Sequence, residues 1–196
     1  MSQLRLRIFS IVISVLIIVA ALLAGPYFWA HVRFTFSPPQ VQTNNDNRQL
    51  ITAYEPNTLV IESLGIEAPI VYAEDNNDNT FAAALAQGVV HYPGTKNPGQ
   101  PGNVYIFGHS SDLPWSQGDY KTVFALLPRV EIGAEVIVTD ASGNAFTYTV
   151  TESFSAGANR VDLLANTPEQ YRLTLQTSYP IGTALRRWIV ISELKN

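Results

Sequence analysis

Asn103-Val104-Tyr105-Ile106-Phe107-Gly108-His109-Ser110-Ser111 is the stretch on which the fold turns. Its side chains alternate, with Val104 and Ile106 on one face and Tyr105, Phe107 and His109 on the other, as a strand with two distinct faces requires. Gly108 and the two serines end it as turn formers. The same grammar repeats outward. Residues 58–62 and 66–72 read as strands, Pro69 in the second arguing for an edge or irregular position. Residues 135–139 and 146–150 flank Asp140-Ala141-Ser142-Gly143-Asn144, a hairpin connection. Residues 172–177 alternate, with Leu173 and Leu175 on one face, and 188–191 form a last strand. Only residues 80–87 and 122–127 suggest helices, both short. Many short strands separated by Gly, Pro and Asn predict a mainly β domain, a closed or nearly closed antiparallel barrel.

Before that domain lies a different composition. From Ile8 to Ala30 no residue is charged. At about 1.5 Å per residue, such a run reaches roughly 35 Å as a helix, enough for a hydrocarbon layer of about 30 Å. Arg5 and Arg7 precede it without an acidic neighbour, which predicts a cytoplasmic N-terminus and an exported remainder. Tyr27, Phe28 and Trp29 would form the aromatic belt at the outer boundary. A cleaved signal peptide is the rival reading. Its apolar region usually spans about 7–15 residues before a small-x-small site. This run is longer, and Leu22 occupies the upstream small position for cleavage after Ala24. The expected organisation is therefore residues 1–33 as cytoplasmic N-terminus and single transmembrane anchor, 34–54 as an extracytoplasmic tether rich in Pro, Asn and Thr, and 55–196 as the β-barrel domain.

The net charge of −4 hides an asymmetry, because Arg5, Arg7 and Arg33 are the only charged residues before residue 34. The segment from residue 34 to residue 196 is distinctly acidic, which argues against a nucleic-acid partner. There is no cysteine. Disulfides, cysteine-bound metals and a cysteine nucleophile are all excluded. No P-loop or dinucleotide fingerprint occurs. Asp75-x-Asn77-x-Asn79 loosely imitates a calcium loop, but Thr80 replaces its turn glycine and Ala86 its bidentate acid, so a solvated loop is expected. Neither a metal nor a cofactor is implied.

Three histidines are available. His31 lies at the membrane boundary. His91 stands in Gly88-Val89-Val90-His91-Tyr92-Pro93-Gly94-Thr95, and His109 ends its strand. A histidine where a strand opens into a loop is placed for proton transfer at a cleft mouth. By position alone, hydrogen bonding to loop backbone is the commoner role for both. Arg186 and Arg187 open the last strand and point to opposite faces, so at most one can aim at a developing oxyanion. Ser178 comes directly after a strand in Thr174-Leu175-Gln176-Thr177-Ser178-Tyr179-Pro180. No Gly-x-Ser-x-Gly elbow surrounds it.

Taken together and in order, Gly88–Thr95, Pro98–Asn103, Phe107–Ser110, Tyr120–Phe124, Leu173–Pro180 and Arg187–Ile191 resemble the sortase family, most closely its small class D and class E members. Sortases are membrane-anchored transpeptidases that join exported proteins to the cell envelope or to each other. The resemblance covers about residues 57–194 and implies a sortase-type barrel on the outer side of the cell membrane. It implies sorting-signal peptides of exported proteins as acyl donors and an amine of the cell wall or a pilin as acceptor. It makes His109 the catalytic histidine, Arg187 the catalytic arginine, and His91 a second histidine of this subgroup with a binding or supporting role. Where the family reads Thr-Cys, this chain reads Thr177-Ser178. Ser178 thus stands at the nucleophile position, with Thr177 as a supporting neighbour. The serine is compatible with an engineered change, with a natural inactive homologue that binds peptides, and with a natural serine-using variant.

Overall fold

The computed structural model describes residues 7–18, 54–113 and 115–195. Residues 7–18 form helix α1, exposed along its length. The rest of the expected anchor, and the tether as far as residue 53, lie outside the described residues. Among the described residues, no helix is long and apolar enough to cross a membrane.

Eight strands build the domain: β1 Thr58–Ile61, β2 Ile66–Tyr72, β3 Val89–His91, β4 Gly102–Phe107, β5 Glu135–Thr139, β6 Ala145–Gly157, β7 Tyr171–Tyr179 and β8 Arg186–Leu194. They close into a barrel in the order β1-β2-β3-β4-β7-β8-β6-β5. Helix α2, Asp78–Leu85, connects β2 to β3. The inward faces of β1, β4, β7 and β8 supply Leu59, Ile61, Val104, Ile106, Leu173, Leu175 and Val190 to the core, all at 0% exposure. The outward faces are not uniformly wet. Tyr105, Ala156, Leu163, Ile189 and Ile191 form a second buried cluster outside the barrel wall, with Tyr92 and Phe107 against it. The alternation read in residues 103–107 therefore separates two apolar clusters rather than core from solvent.

Three expectations change. The barrel is not antiparallel throughout: β2 pairs with β3, and β4 with β7, in parallel. The first of these results from α2, because a parallel pair needs a crossover. β3 itself escaped the sequence reading, since three residues buried on both faces show no alternation. Second, residues 122–127 are not an α-helix. They make successive turns, with Ala125 N donating to Thr122 O and Leu127 N to Phe124 O, and end in a 3₁₀ turn at Leu127–Arg129. Pro128 lacks the N–H that a continuing helix would need. Third, Pro69 is not at an edge. β2 lies between β1 and β3, but pairing with β3 begins only at Ile70 opposite Val89. The missing N–H costs no ladder bond there.

α2 starts two residues before its expected boundary because Asn77 caps it, its Oδ1 accepting from Asn79 N at 2.8 Å. The Asp75 carboxylate accepts from Asn77 N at 3.0 Å. The oxygens that imitated a calcium loop thus organise a helix start.

Gly88, between α2 and β3, lies against the Pro69 carbonyl, where any Cβ would collide with backbone. Gly88→Ala is expected to destabilise the domain by about 1–3 kcal/mol, the usual range for overpacking. Chemical denaturation of the two proteins, with unchanged denaturant slope, checks this.

Candidate active site

The two ladders around β7 assemble the site. On one side β7 runs antiparallel to β8, pairing Thr177 with Trp188, Ser178 with Arg187 and Tyr179 with Arg186. Directly paired residues share a face. Leu173, Leu175 and Thr177 point inward, so Ser178 and Arg187 both stand on the outer face. On the other side β7 runs parallel to β4, pairing Gln176 with Phe107. Parallel neighbours end at the same edge of the sheet, so the residues just beyond β4 lie beside the end of β7. Gly108 N donates to Gln176 O at 3.1 Å, and the buried Thr177 Oγ1 donates to Gly108 O at 2.8 Å. This clasp fixes the backbone that carries His109. The next segment is pinned by Phe124 N donating to His109 O at 2.9 Å.

His109, Ser178 and Arg187 line one cleft of about 340 Å³ on the outside of the barrel. Its floor includes Tyr105, whose hydroxyl donates to Gln176 Oε1 at 2.6 Å. Burial pushes the Tyr105 phenol up, so it stays protonated and a donor, although the Arg187 charge acts in the opposite direction. Phe81 and Leu85 of α2 form one wall, and Arg160, Val161 and Leu164 of the β6–β7 connection form another.

The two arginines separate as their alternation requires. Arg187 lines the cleft, and its Nη1 donates to Ala184 O at 3.0 Å and to Arg186 O at 3.1 Å. Arg186 is tied to β6, its Nε donating to Ser155 Oγ at 2.9 Å and its Nη2 to Ser155 O at 3.1 Å. It is not among the cleft residues.

His109 Nε2 stands 3.7 Å from Asp112 Oδ2. Asp112 is itself held, its Oδ1 accepting from Leu113 N at 2.7 Å and from Ser116 Oγ at 2.8 Å. Burial lowers the His109 pKa, and the Asp112 charge partly restores it. The imidazole is therefore neutral near pH 7 and able to accept a proton. Because folded His109 binds its proton less readily than the unfolded chain does, it withdraws stability as pH falls from about 6.5 through its lower folded pKa. Asp112→Asn removes the restoring charge. Titration of the His109 ring by NMR is expected to lie below the usual histidine range and to move further down in that variant. An upward move would show that Asp112 does not act on this ring.

His91 does not join the cleft. It pairs with the inward-facing Ile106, stacks on Tyr72 with ring centroids 4.7 Å apart, and meets Lys96 O at 2.8 Å through Nε2. It is buried, which lowers its pKa. It is not among the cleft residues, and its contacts are with the barrel end and the 92–97 turn. The one-residue alternation of β3 sends it to the wrong face for the cleft. His31 lies outside the described residues. Thr177 acts through the clasp on Gly108. Sequence reading missed Asp112, Gln176 and Arg160. Only Asp112, three positions after His109, carried a local signal.

With this geometry in place, the sortase-domain model matches residues 59–195. Sortase D of Bacillus subtilis (strain 168) is 25% identical over 161 residues, covering 78% of this chain and 73% of the relative. The crystal structure of sortase C-1 from Actinomyces oris superposes with a TM-score of 0.60 at 26% identity, over 71% of this chain and 73% of its own. A Clostridium perfringens sortase D5 transpeptidase shares the fold, with a TM-score of 0.58 at 23% identity over 71% and 78% of the two chains. The mixed eight-stranded barrel, the cleft on its outer face and the match over most of the chain have one reading: this protein belongs to the sortase family, whose members are transpeptidases.

Proposed function

We propose that the chain binds a sorting-signal peptide of an exported protein in the outer cleft, with Ser178 at the nucleophile position, and passes the acyl group to an amine of the cell envelope or a pilin. The pairing of Ser178 with Arg187, on the face that His109 also lines, is the observation that carries this reading. Attack on the peptide carbonyl would place negative charge on its oxygen, and of the two arginines that line the cleft Arg187 is the one paired with Ser178 while Arg160 is engaged by Asp162. His109, neutral and half-buried, would take the Ser178 proton as the C–O bond forms and give it to the departing amine. The stretch 8–30 would anchor the chain in the membrane, with residues 34–54 as tether and the barrel outside the cell.

Serine makes this chemistry slow. A thiol with a pKa of about 8.5 is partly ionised at neutral pH, and a neighbouring cation lowers it further. A serine hydroxyl must lose its proton during attack. Ser178 itself thus favours a second reading, a peptide-binding protein of sortase fold that no longer cuts. The test offers a labelled sorting-peptide library and an amine acceptor to the full chain and to its Ser178→Cys variant. Cleavage and transfer by the variant support the first reading. Binding of peptides by the unaltered chain, without turnover in either protein, supports the second. A folded variant that neither binds nor cleaves any peptide removes both.

A further inference from the structure

On the outer face of the sheet, β4 and β7 carry two polar pairs of one design. In the first, the Thr174 hydroxyl donates to Asn103 Oδ1 at 2.8 Å, and Asn103 Nδ2 donates to the Leu163 carbonyl at 2.8 Å. Both side chains are buried, and Leu163 belongs to the β6–β7 connection that covers them. A hydroxyl thus orients a side-chain amide, and the amide holds main chain that lies on the sheet. In the second pair, two residues further along both strands, the Tyr105 hydroxyl donates to Gln176 Oε1 at 2.6 Å. The hydroxyl is now on β4 and the amide on β7. The other difference is that this amide nitrogen holds nothing. Gln176 Nε2 has two protons and, among the described residues, no acceptor, and Gln176 lines the cleft. Two residues further along β7 stands Ser178.

The direction of the free donor follows from its partner. The Tyr105 hydroxyl has no other acceptor among the described residues, so Oε1 is the atom turned to it. The amide is planar, so drawing Oε1 toward β4 turns Nε2 to the other side of β7, the side of β8 and Arg187. Arg187 stands level with Ser178. At about 3.3 Å per residue, the level of Gln176 lies roughly 6.6 Å away along the strand. In an extended peptide, carbonyls that point the same way recur at every second residue, which is the same spacing. We propose that Gln176 binds the main-chain carbonyl of the substrate peptide two residues before the scissile one, and that Tyr105 is the positioning residue that aims its amide. This rests on the peptide-binding cleft common to both readings above. The acyl half of the peptide stays on residue 178 and has to be held, whereas the amine half leaves, and the cleft continues past Gln176 to Tyr92 and Leu164. One step beyond, the corresponding amide is already taken by Leu163 O, so the protein's own chain ends the groove. Gln176 therefore selects an extended backbone at this point, not a side chain.

The test uses the full chain carrying Ser178→Cys and the peptide it cleaves fastest from the sorting-peptide library. That peptide is remade with each amide before the scissile bond replaced in turn by an ester, whose carbonyl is the weaker acceptor. Gln176→Met is expected to raise KM about five- to tenfold, the worth of one sheltered neutral hydrogen bond, with kcat within twofold, because the bond is made before the reaction as well as during it. Tyr105→Phe should raise KM about threefold, and should add nothing once Gln176→Met is present. The ester at the assigned carbonyl should raise KM about threefold in the parent and have no effect in Gln176→Met. If the ester costs the same in both proteins, Gln176 does not bind this carbonyl. If the coupling appears at a different ester, or at an alanine replacement of a peptide side chain, the assigned contact is wrong. If no peptide binds to any of these chains, the peptide-cleft reading itself falls and takes this assignment with it.

Discussion

Ser178→Cys is expected to accelerate acyl-enzyme formation by roughly 10³- to 10⁴-fold, which corresponds to about 4–6 kcal/mol of barrier at 1.4 kcal/mol per tenfold. The gain comes from the nucleophile, not from new contacts. Cysteine can enter the reaction already ionised, because the Arg187 charge favours a thiolate beside it and neutral His109 can accept the thiol proton. Serine has no comparable pre-ionised state at neutral pH and depends on His109 to remove its proton during attack. Ser178 pairs with Arg187 near the end of β7, half-exposed on the cleft side, so a slightly larger sulfur meets no packed core there. Single-turnover kinetics with a sorting peptide, read as the mass of the acyl adduct, measure the change. A folded cysteine variant with no gain over serine would mean that His109 and Arg187 are not arranged to use a thiolate. Labelling of unaltered Ser178 by a fluorophosphonate would point instead to a serine-based acyl transferase.

The second large effect separates two adjacent arginines. In a chain already carrying Ser178→Cys, Arg187→Ala should lower kcat/KM about 10²- to 10³-fold, the usual result of removing one oxyanion contact. Arg186→Ala should leave it within about threefold, because that guanidinium is committed to Ser155 on β6 and lies outside the cleft. The loss at Arg187 should fall on kcat at least as heavily as on KM, since the charge it meets develops only in the transition state. Arg187→Lys should recover little, because Nη1 alone makes both bonds to the Ala184 and Arg186 carbonyls and leaves the other guanidinium nitrogens for a third oxygen, whereas lysine has one nitrogen to serve all three. A large loss at Arg186 with a small one at Arg187 would place the opposite face of β8 at the substrate.

These two effects are legible in the sequence to different depths. Alternation alone says that only one of Arg186 and Arg187 can serve a site, because adjacent strand residues diverge. The registers of β7 and β8 supply which one, by setting Arg187 opposite Ser178. Likewise, periodicity assigns Val104 and Ile106 to one face and Tyr105 and Phe107 to the other. That both faces are buried depends on the covering chain around Leu163 and Leu164, which is distant in sequence. His91 illustrates the limit. Its segment looks like a site in residue type, yet three residues of β3 suffice to turn its ring onto Tyr72 and away from the cleft.

The sequence by itself determined seven of the eight strands, their inward faces and the absence of any thiol, because each depends on residue type and on a period of two. Only the tertiary structure decided that β4 and β7 run parallel, and so that His109 arrives beside Ser178 rather than at the far end of the sheet. It alone set Asp112 against His109 and sent Arg186 to β6. The physical reason is that strand direction and register are fixed by barrel closure, by contacts between residues such as Thr177 and Gly108 that lie 69 positions apart. Local periodicity carries no information about such contacts.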